Sequence, residues 1–258
     1  MQKRGQITIF MIIGIIIIVL VGSLLYLRSI LDTTGVEVEG MSKTEKLFAP
    51  IKNYITLCLK EVGDSALRKV GISGGYTYIP NNVFKIENTS YWYNNGDVHP
   101  PLSMIENRID EYINFNLTKC TNFEVFNSEG FDIEYKQPYA NTTIAENNIF
   151  IQVDYPIIAK KRGAKKEFSS FNMDYNIKFK GYYDVAKNIT KKMGQPGFDR
   201  VVPLQFNGIN VTYKNINDNL IVTLNKTDSD YIFKFAGKFG GNPAPPGPNP
   251  PPPNNAPP

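Results

Sequence analysis

The stretch IKNYITLCLKEVGDSALRKVG (51–71) has the hydrophobic periodicity of an amphipathic helix. Charged residues such as Lys60, Glu61 and Asp64 fall largely off the apolar stripe. The pattern predicts a helix with one buried face, which Gly71 is expected to end as a C-terminal cap. The residues of the stripe recur at spacings of three and four: Ile51, Tyr54, Ile55, Cys58, Leu59, Val62, Ala66 and Val70.

A second stripe of the same period follows Pro100 and Pro101 and ends at Cys120. Ser103 is the expected N-cap, with Glu106 completing a capping box. Glu106 and Asp110 share a face of this helix, and paired carboxylates can perform acid–base chemistry. Charges that face the solvent explain them better, so we expect no catalytic role.

From residue 122 onward the apolar residues alternate with period two, which is typical of β-strands. The best hairpin signal flanks the basic segment KKRGAKK (160–166), which we interpret as a solvated loop of about six residues rather than a nucleic-acid site. Residues 182–197 suggest a short helix that Gly194 ends. The predicted fold class is α+β, with an N-terminal transmembrane helix and an ectodomain of two amphipathic helices and a mainly antiparallel sheet.

Cys58 and Cys120 each occupy the apolar stripe of their own predicted helix. An even number of cysteines in a translocated domain predicts a disulfide, and two buried free thiols are the alternative. Two cysteines far apart and the single histidine, His99, do not make a zinc site, so we predict neither a metal nor a cofactor.

The residues before the domain predict a membrane anchor. No charged residue lies between Ile7 and Leu27, a length that spans a bilayer core, and the exit at Tyr26–Arg28 lacks a small-residue cleavage site. Lys3 and Arg4 favour a cytoplasmic N-terminus and an extracellular C-terminal domain in a single-pass protein of the cell membrane. A linker (32–43), an ectodomain (44–239) and a disordered Pro-rich tail (240–258) would follow.

The segment Lys3-Arg4-Gly5-Gln6 resembles the class III signal of archaeal type IV pilins and archaellins. The resemblance implies that a prepilin-type peptidase removes residues 1–5 and that residues 6–31 become the mature transmembrane, pilin-like helix. An uncleaved signal-anchor is the alternative. Because Asp32–Gly35 interrupts the helix, a tethered domain competes with a filament subunit that packs against other pilin-like subunits.

The segments ITLCLKEVGDSALRKVGISGGYTYIP (55–80) and YWY (91–93), with the second helix that ends in cysteine, resemble a family of uncharacterised archaeal single-pass surface proteins. This resemblance implies a location on the archaeal cell surface and no activity. Six glycosylation candidates agree with an extracellular domain: Asn88, Asn116, Asn141, Asn188, Asn210 and Asn225.

The sequence contains no catalytic motif. Asp97 near His99 is better explained as a turn residue than as the partner of a general base. We therefore predict a non-catalytic surface protein. A membrane-anchored module that binds carbohydrate or peptide is the alternative, and its candidate surface consists of aromatic residues near two turns: Tyr76, Tyr78, Tyr91, Trp92 and Tyr93.

Overall fold

The computed structural model describes residues 43–193, 195, 204–206 and 208–238. The chain divides into two compact units between Lys46 and Leu47, and the fold below is that of the second unit. The predicted leader (1–5), membrane helix (6–31) and Pro-rich tail (240–258) lie outside the described residues, as does the linker apart from Lys43. Within those described ranges, no helix combines the length and the hydropathy that crossing a membrane requires.

The α+β fold class is correct, but the element count is not. The described ranges contain three long helices and one short helix, whereas the predicted fold class counted two amphipathic helices; the further helix suggested at 182–197 is present, but it begins earlier, at Phe179, and ends at Met193. The third long helix buries Tyr182, Tyr183 and Ile189 on one face. The helices are α1 (Lys43–Ile72), α2 (Leu102–Cys120), α3 (Glu124–Ser128) and α4 (Phe179–Met193).

The helices α1 and α2 pack against each other in antiparallel directions. Cys58 is bonded to Cys120, and seven residues farther along α1 the hydroxyl of Ser65 shares a hydrogen bond of 2.9 Å with that of Tyr112. The apolar stripes of both helices are buried, as the periodicity predicts.

The ends of both helices differ from the prediction. Gly71 lies inside α1, and Gly74 instead supplies the positive φ of 69° just after it. The Gly75 N–H then donates to the Val70 carbonyl at 2.8 Å, which is the hydrogen bond of a Schellman motif. At the start of α2 the N-cap is Pro101, and no side chain caps the helix, so the predicted Ser103–Glu106 capping box is absent there.

The strands in the described part of the chain form two sheets rather than one. The first has the order β1-β2-β10-β9-β8-β7, and its pair β2–β10 is parallel while the others are antiparallel. In the second, β5 pairs with β3 and β4 and also with β6, always antiparallel. The strands are β1 (Lys85–Ile86), β2 (Thr89–Asn94), β3 (Asp132–Tyr135), β4 (Tyr139–Ile144), β5 (Ile149–Lys161), β6 (Ala164–Tyr175), β7 (Leu204–Phe206), β8 (Ile209–Ile216), β9 (Asn219–Lys226) and β10 (Ser229–Lys238).

The hairpin β5–β6 is the longest pairing in the described chain and is tighter than expected. Lys161 pairs with Ala164, so the turn contains two residues instead of about six. Arg162 and Gly163 have φ values of 50° and 78°, as a type I′ turn requires. The basic residues of 160–166 therefore lie mostly on the strands themselves.

Trp92 lies at the centre of the packing between β2, β10 and α4. Its ring contacts Phe233, Phe235 and Tyr183, with centroid distances of 5.2–5.4 Å. Its indole Nε1–H donates to the Gly74 carbonyl at 2.9 Å. The turn after α1 is therefore tied to the first sheet by the one tryptophan in the chain.

Candidate functional site

A cleft of about 630 Å³ opens between α1, the segment after β6 and the start of β10. Leu67, Tyr175 and Tyr231 contribute apolar or aromatic surface. Ile72 and Ile232 also line it, with 41% and 42% of their surfaces exposed. Aliphatic side chains exposed to this extent next to a concave surface mark the cleft as a candidate binding site.

Two glycines let the walls of the cleft approach α1 closely. A methyl group at Gly63 would overlap the hydroxyl of Tyr175, and one at Gly71 would overlap the backbone carbonyl oxygen of Ile232. The two tyrosines are then fixed to the helix backbone. Tyr175 donates to the Lys60 carbonyl at 3.2 Å, and Tyr231 donates to the Leu67 carbonyl at 3.2 Å.

Gly71→Ala is expected to destabilise the fold by about 1–3 kcal/mol, the usual cost of overpacking, even though alanine favours the helix by about 1 kcal/mol. The reason is that the added methyl meets the Ile232 backbone rather than a movable side chain. Urea unfolding followed by far-UV circular dichroism measures the effect.

The matched control is Gly63→Ala on the same helix. There the methyl meets the phenol end of the Tyr175 side chain and no backbone atom, so a smaller loss than for Gly71→Ala is expected. Equal losses for the two variants would contradict the close backbone contact at Gly71.

The polar groups of the cleft are of mixed charge. Asp64, Arg68 and Asp230 line it together with Ser229. Asp64 is paired with Lys60 at 2.7 Å. Burial raises the pKa of Tyr175 and of Tyr231, so both phenols stay neutral at physiological pH. The lining contains no histidine or cysteine, and its arrangement suits binding of an apolar or aromatic group with polar ends.

The predicted aromatic surface is not formed as one platform. Trp92 is 0% exposed, while Tyr76 and Tyr91 are also buried. Tyr91 uses its hydroxyl to donate to Asn219 Oδ1 at 2.9 Å. Tyr93 is half-buried, and Tyr78 is 72% exposed. Tyr91 and Tyr93 lie on the opposite face of β2 from Trp92, and Tyr76 and Tyr78 precede the strand.

His99 belongs to the aromatic packing around Trp92. Its Nδ1 contacts Asp97 Oδ1, and its ring centre lies 5.4 Å from that of Trp92 and 5.9 Å from that of Tyr183. The Asp97 carboxylate also accepts the His99 backbone N–H at 3.3 Å, as a turn aspartate does. Over the described ranges, no group of three or more His, Cys, Asp or Glu side chains is placed to hold a metal ion.

Glu106 and Asp110 are not solvent-facing charges, which corrects the sequence-based expectation. They belong to a ladder in which one face of α2 contacts the edge of β4. Glu106 Oε1 accepts the Ile144 N–H at 2.8 Å, and Asn114 Oδ1 accepts the Ala140 N–H at 2.7 Å. Glu106 and Asn114, eight residues apart on α2, thus contact Ile144 and Ala140, which are four residues apart on β4. These helix side chains cover the edge of β4 that could otherwise pair with another strand.

Asp110 lies between these two contacts, beside Thr142. Burial raises the pKa of its carboxyl to about 6, while the hydroxyl and the backbone N–H of Thr142 act in the opposite direction. Its Oδ1 is buried without a hydrogen-bond partner. The folded state therefore disfavours the ionised form of Asp110 relative to the unfolded chain.

Asp110→Asn is expected to raise the free energy of unfolding at about pH 7. Because the folded pKa lies above the unfolded value, the contribution of Asp110 is fully present below about pH 4 and is lost as the pH rises through about 6. At about 1.4 kcal/mol per unit of pKa, reduced for partial solvent screening, the gain is on the order of 1–2 kcal/mol. Urea unfolding at several pH values measures it.

The matched control is Glu61→Gln, an exposed carboxylate on α1. It should change stability by less than about 0.5 kcal/mol at either pH. A gain from Asp110→Asn that is equally large at about pH 4 would show that the charge of Asp110 is not the cause.

The structure joins Cys58 and Cys120 by a disulfide, in agreement with the prediction, with their Cα atoms 5.7 Å apart. The bond links the middle of α1 to the end of α2. Tyr54 reinforces the same junction, because its hydroxyl donates to the Cys120 carbonyl at 2.7 Å.

The remaining predicted site residues are dispersed or outside the described ranges. Lys3, Arg4, Gly5 and Gln6 lie outside them. The six glycosylation candidates are all described. Asn88 lies in the β1–β2 turn and Asn116 and Asn188 lie on helices, whereas Asn141, Asn210 and Asn225 lie on strands.

Sequence reasoning missed the cleft, although one signal was present. Gly63 interrupts an otherwise strong helix pattern, and a glycine at such a position often marks a close packing contact.

The sequence does not match any family model, and no match was found among curated proteins or solved structures.

Proposed function

We propose that this protein is a non-catalytic, membrane-anchored cell-surface protein with a pilin-like N-terminus. In this proposal its N-terminal helix spans the membrane once, and the domain that starts near Leu47 lies outside the cell. The domain serves either as a filament subunit or as a tethered surface domain. The partners are the membrane, a prepilin-type peptidase and, in a filament, other pilin-like subunits.

The disulfide is the observation that carries this proposal. Structural disulfides persist in oxidising, extracytoplasmic surroundings and are rare in the cytosol of mesophiles. Cys58 is buried and Cys120 is half-buried, and the bond closes a separation of 62 residues. The uncharged segment 7–27 supplies the anchor, and the basic residues before it favour the orientation.

Mass spectrometry of the N-terminus of the native protein tests the processing step. We expect the mature chain to begin at Gln6. Gly5→Val should block cleavage, because a β-branched side chain crowds the backbone at the cleavage site. Gly22→Val, in the same apolar segment but away from that site, should leave cleavage unchanged.

Recovery of Met1 on the mature protein would contradict the leader and leave the uncleaved signal-anchor. The state of assembly separates the two remaining forms of the proposal. Polymers in sheared surface material indicate a filament subunit, and monomers that stay with the membrane indicate a tethered domain.

The cleft favours a second candidate function, a membrane-anchored module that binds peptide or carbohydrate. Its two tyrosines and two exposed isoleucines offer an apolar surface, and Arg68 and Asp230 offer polar contacts. Binding to peptide and glycan arrays tests it. Ile232→Ala should weaken any binding at this cleft, whereas Tyr78→Ala, an exposed tyrosine that is not part of the lining, should not.

A further inference from the structure

The six N-glycosylation sequons differ in whether the fold leaves their reacting groups free. A sequon uses two groups, the side-chain amide of asparagine and the hydroxyl of the residue two positions later. Both must be accessible to the transferring enzyme at the same time. The structure gives the environment of both groups for every one of the six sites.

In two sequons the hydroxyl is buried and bonded. Asn88 is exposed, but Ser90 is buried and donates to the Gly74 carbonyl at 3.0 Å. Asn188 is also exposed, whereas Thr190 is buried and donates to the Ala186 carbonyl at 2.9 Å. An exposed asparagine is therefore not sufficient to make either sequon available to the transferring enzyme.

In the sequons of Asn116 and Asn210 the amide donates a hydrogen bond, and in that of Asn225 the asparagine is half-buried. Asn116 Nδ2 donates to the Tyr112 carbonyl at 2.8 Å within α2. Asn210 Nδ2 donates to Thr227 Oγ1 at 3.4 Å. Thr227 carries the hydroxyl of the Asn225 sequon and accepts this bond through its oxygen, while Asn225 is half-buried and directly opposes Asn210 across β8 and β9.

Asn141 is the exception. Asn141 and Thr143 are both exposed, and they share the outer face of β4, while Ala140, Thr142 and Ile144 face the interior. In the described part of the chain, neither of the two exposed side chains has a hydrogen-bond partner. The strand β4 pairs with β5 on one edge and contacts the α2 side chains Glu106 and Asn114 on the other, so both edges are occupied while the outer face that carries Asn141 and Thr143 stays open.

We propose that Asn141 is the N-glycosylation site of the folded protein, an inference that rests on the proposed extracellular location. The donor is an oligosaccharide linked to a polyprenyl diphosphate. The bond between sugar C1 and the lipid phosphate oxygen breaks, and a bond forms between C1 and Asn141 Nδ2. The Nδ2 nitrogen loses one proton, and the lipid diphosphate leaves.

The test uses the full chain with its disulfide intact, a purified oligosaccharyltransferase and this lipid-linked donor. Glycopeptide mass spectrometry should find the highest occupancy at Asn141, at least about tenfold above that at Asn88 and Asn188, because freeing the buried, bonded hydroxyls of Ser90 and Thr190 costs free energy. N141Q and T143A should each abolish the modification, and T143S should retain it. N188Q, which removes an equally exposed asparagine, should leave the occupancy of Asn141 unchanged.

Two results would overturn the assignment. One is modification of the folded chain at another sequon with Asn141 unmodified. The other is a folded chain that stays unmodified while the reduced and unfolded chain is modified. Neither result depends on where the protein lies in the cell, so failure of this assignment is distinct from failure of the proposed surface location.

Discussion

Trp92→Ala is expected to lower the free energy of unfolding by about 3–5 kcal/mol, the range for truncating a fully buried tryptophan. Trp92 has no exposed surface, and its ring is packed between Phe233, Phe235 and Tyr183. The substitution leaves a cavity and also removes the donor to the Gly74 carbonyl. Urea unfolding followed by far-UV circular dichroism measures the loss.

Two control variants separate the stability due to ring packing from that due to the hydrogen bond, and a buried aromatic side chain from an exposed one. Trp92→Phe keeps an aromatic ring but removes the donor, so a smaller loss of about 1–3 kcal/mol is expected. Tyr78→Ala removes an aromatic side chain that is mostly exposed and should cost less than about 0.5 kcal/mol. A loss below about 1 kcal/mol for Trp92→Ala would contradict its central place in the core.

Cys58→Ala is expected to lower the free energy of unfolding by about 4 kcal/mol, since the chain-entropy model gives this value for a loop of the present length. The bond joins residues 62 apart in sequence, and it constrains the unfolded chain when intact. The measurement is the same urea unfolding, carried out without reductant.

The double variant Cys58→Ala/Cys120→Ala supplies the control. Its stability should equal that of the single variant within about 1 kcal/mol and should not respond to reductant. Reductant should destabilise the natural protein to a similar level. Natural protein that is insensitive to reductant, with both cysteines open to alkylation, would contradict the disulfide.

Local periodicity was sufficient to predict α1 and α2, because each buries one stripe along its length. It was not sufficient for their ends. Glu106 was expected to cap its own helix, but its carboxylate contacts the Ile144 N–H, 38 residues away in sequence. A long-range contact of this kind has no counterpart in the local pattern.

The sequence likewise predicted the positions of strands better than it predicted which strands pair. The alternation in 149–175 indicates β5 and β6, but their turn has two residues, Arg162 and Gly163, where the sequence predicted about six. The parallel pairing of β2 with β10 joins Tyr91 to Ala236, and no local signal specifies it. The assignment of strands to two sheets therefore could not be derived from period two.

The cleft was beyond sequence reasoning for a related reason. Its walls come from α1, the end of β6 and the start of β10, and no motif joins Leu67, Tyr175 and Tyr231 in sequence. The predicted aromatic surface is wrong because β2 is covered on both faces, so the neighbours Tyr91 and Trp92 are both buried although they point in opposite directions. The sequence signals for the cleft were Gly63 and Gly71, because these small residues lie where other segments approach the helix closely.

The central claim is that the disulfide-containing domain lies outside a membrane that its N-terminal segment spans. Protease treatment of intact cells, followed by mass spectrometry without reductant, tests this claim most directly. We expect peptides from residues 47–238 to be released from intact cells, with the Cys58 peptide still bonded to the Cys120 peptide. Release of these peptides only after the membrane is ruptured, with both cysteines as free thiols, would contradict the account.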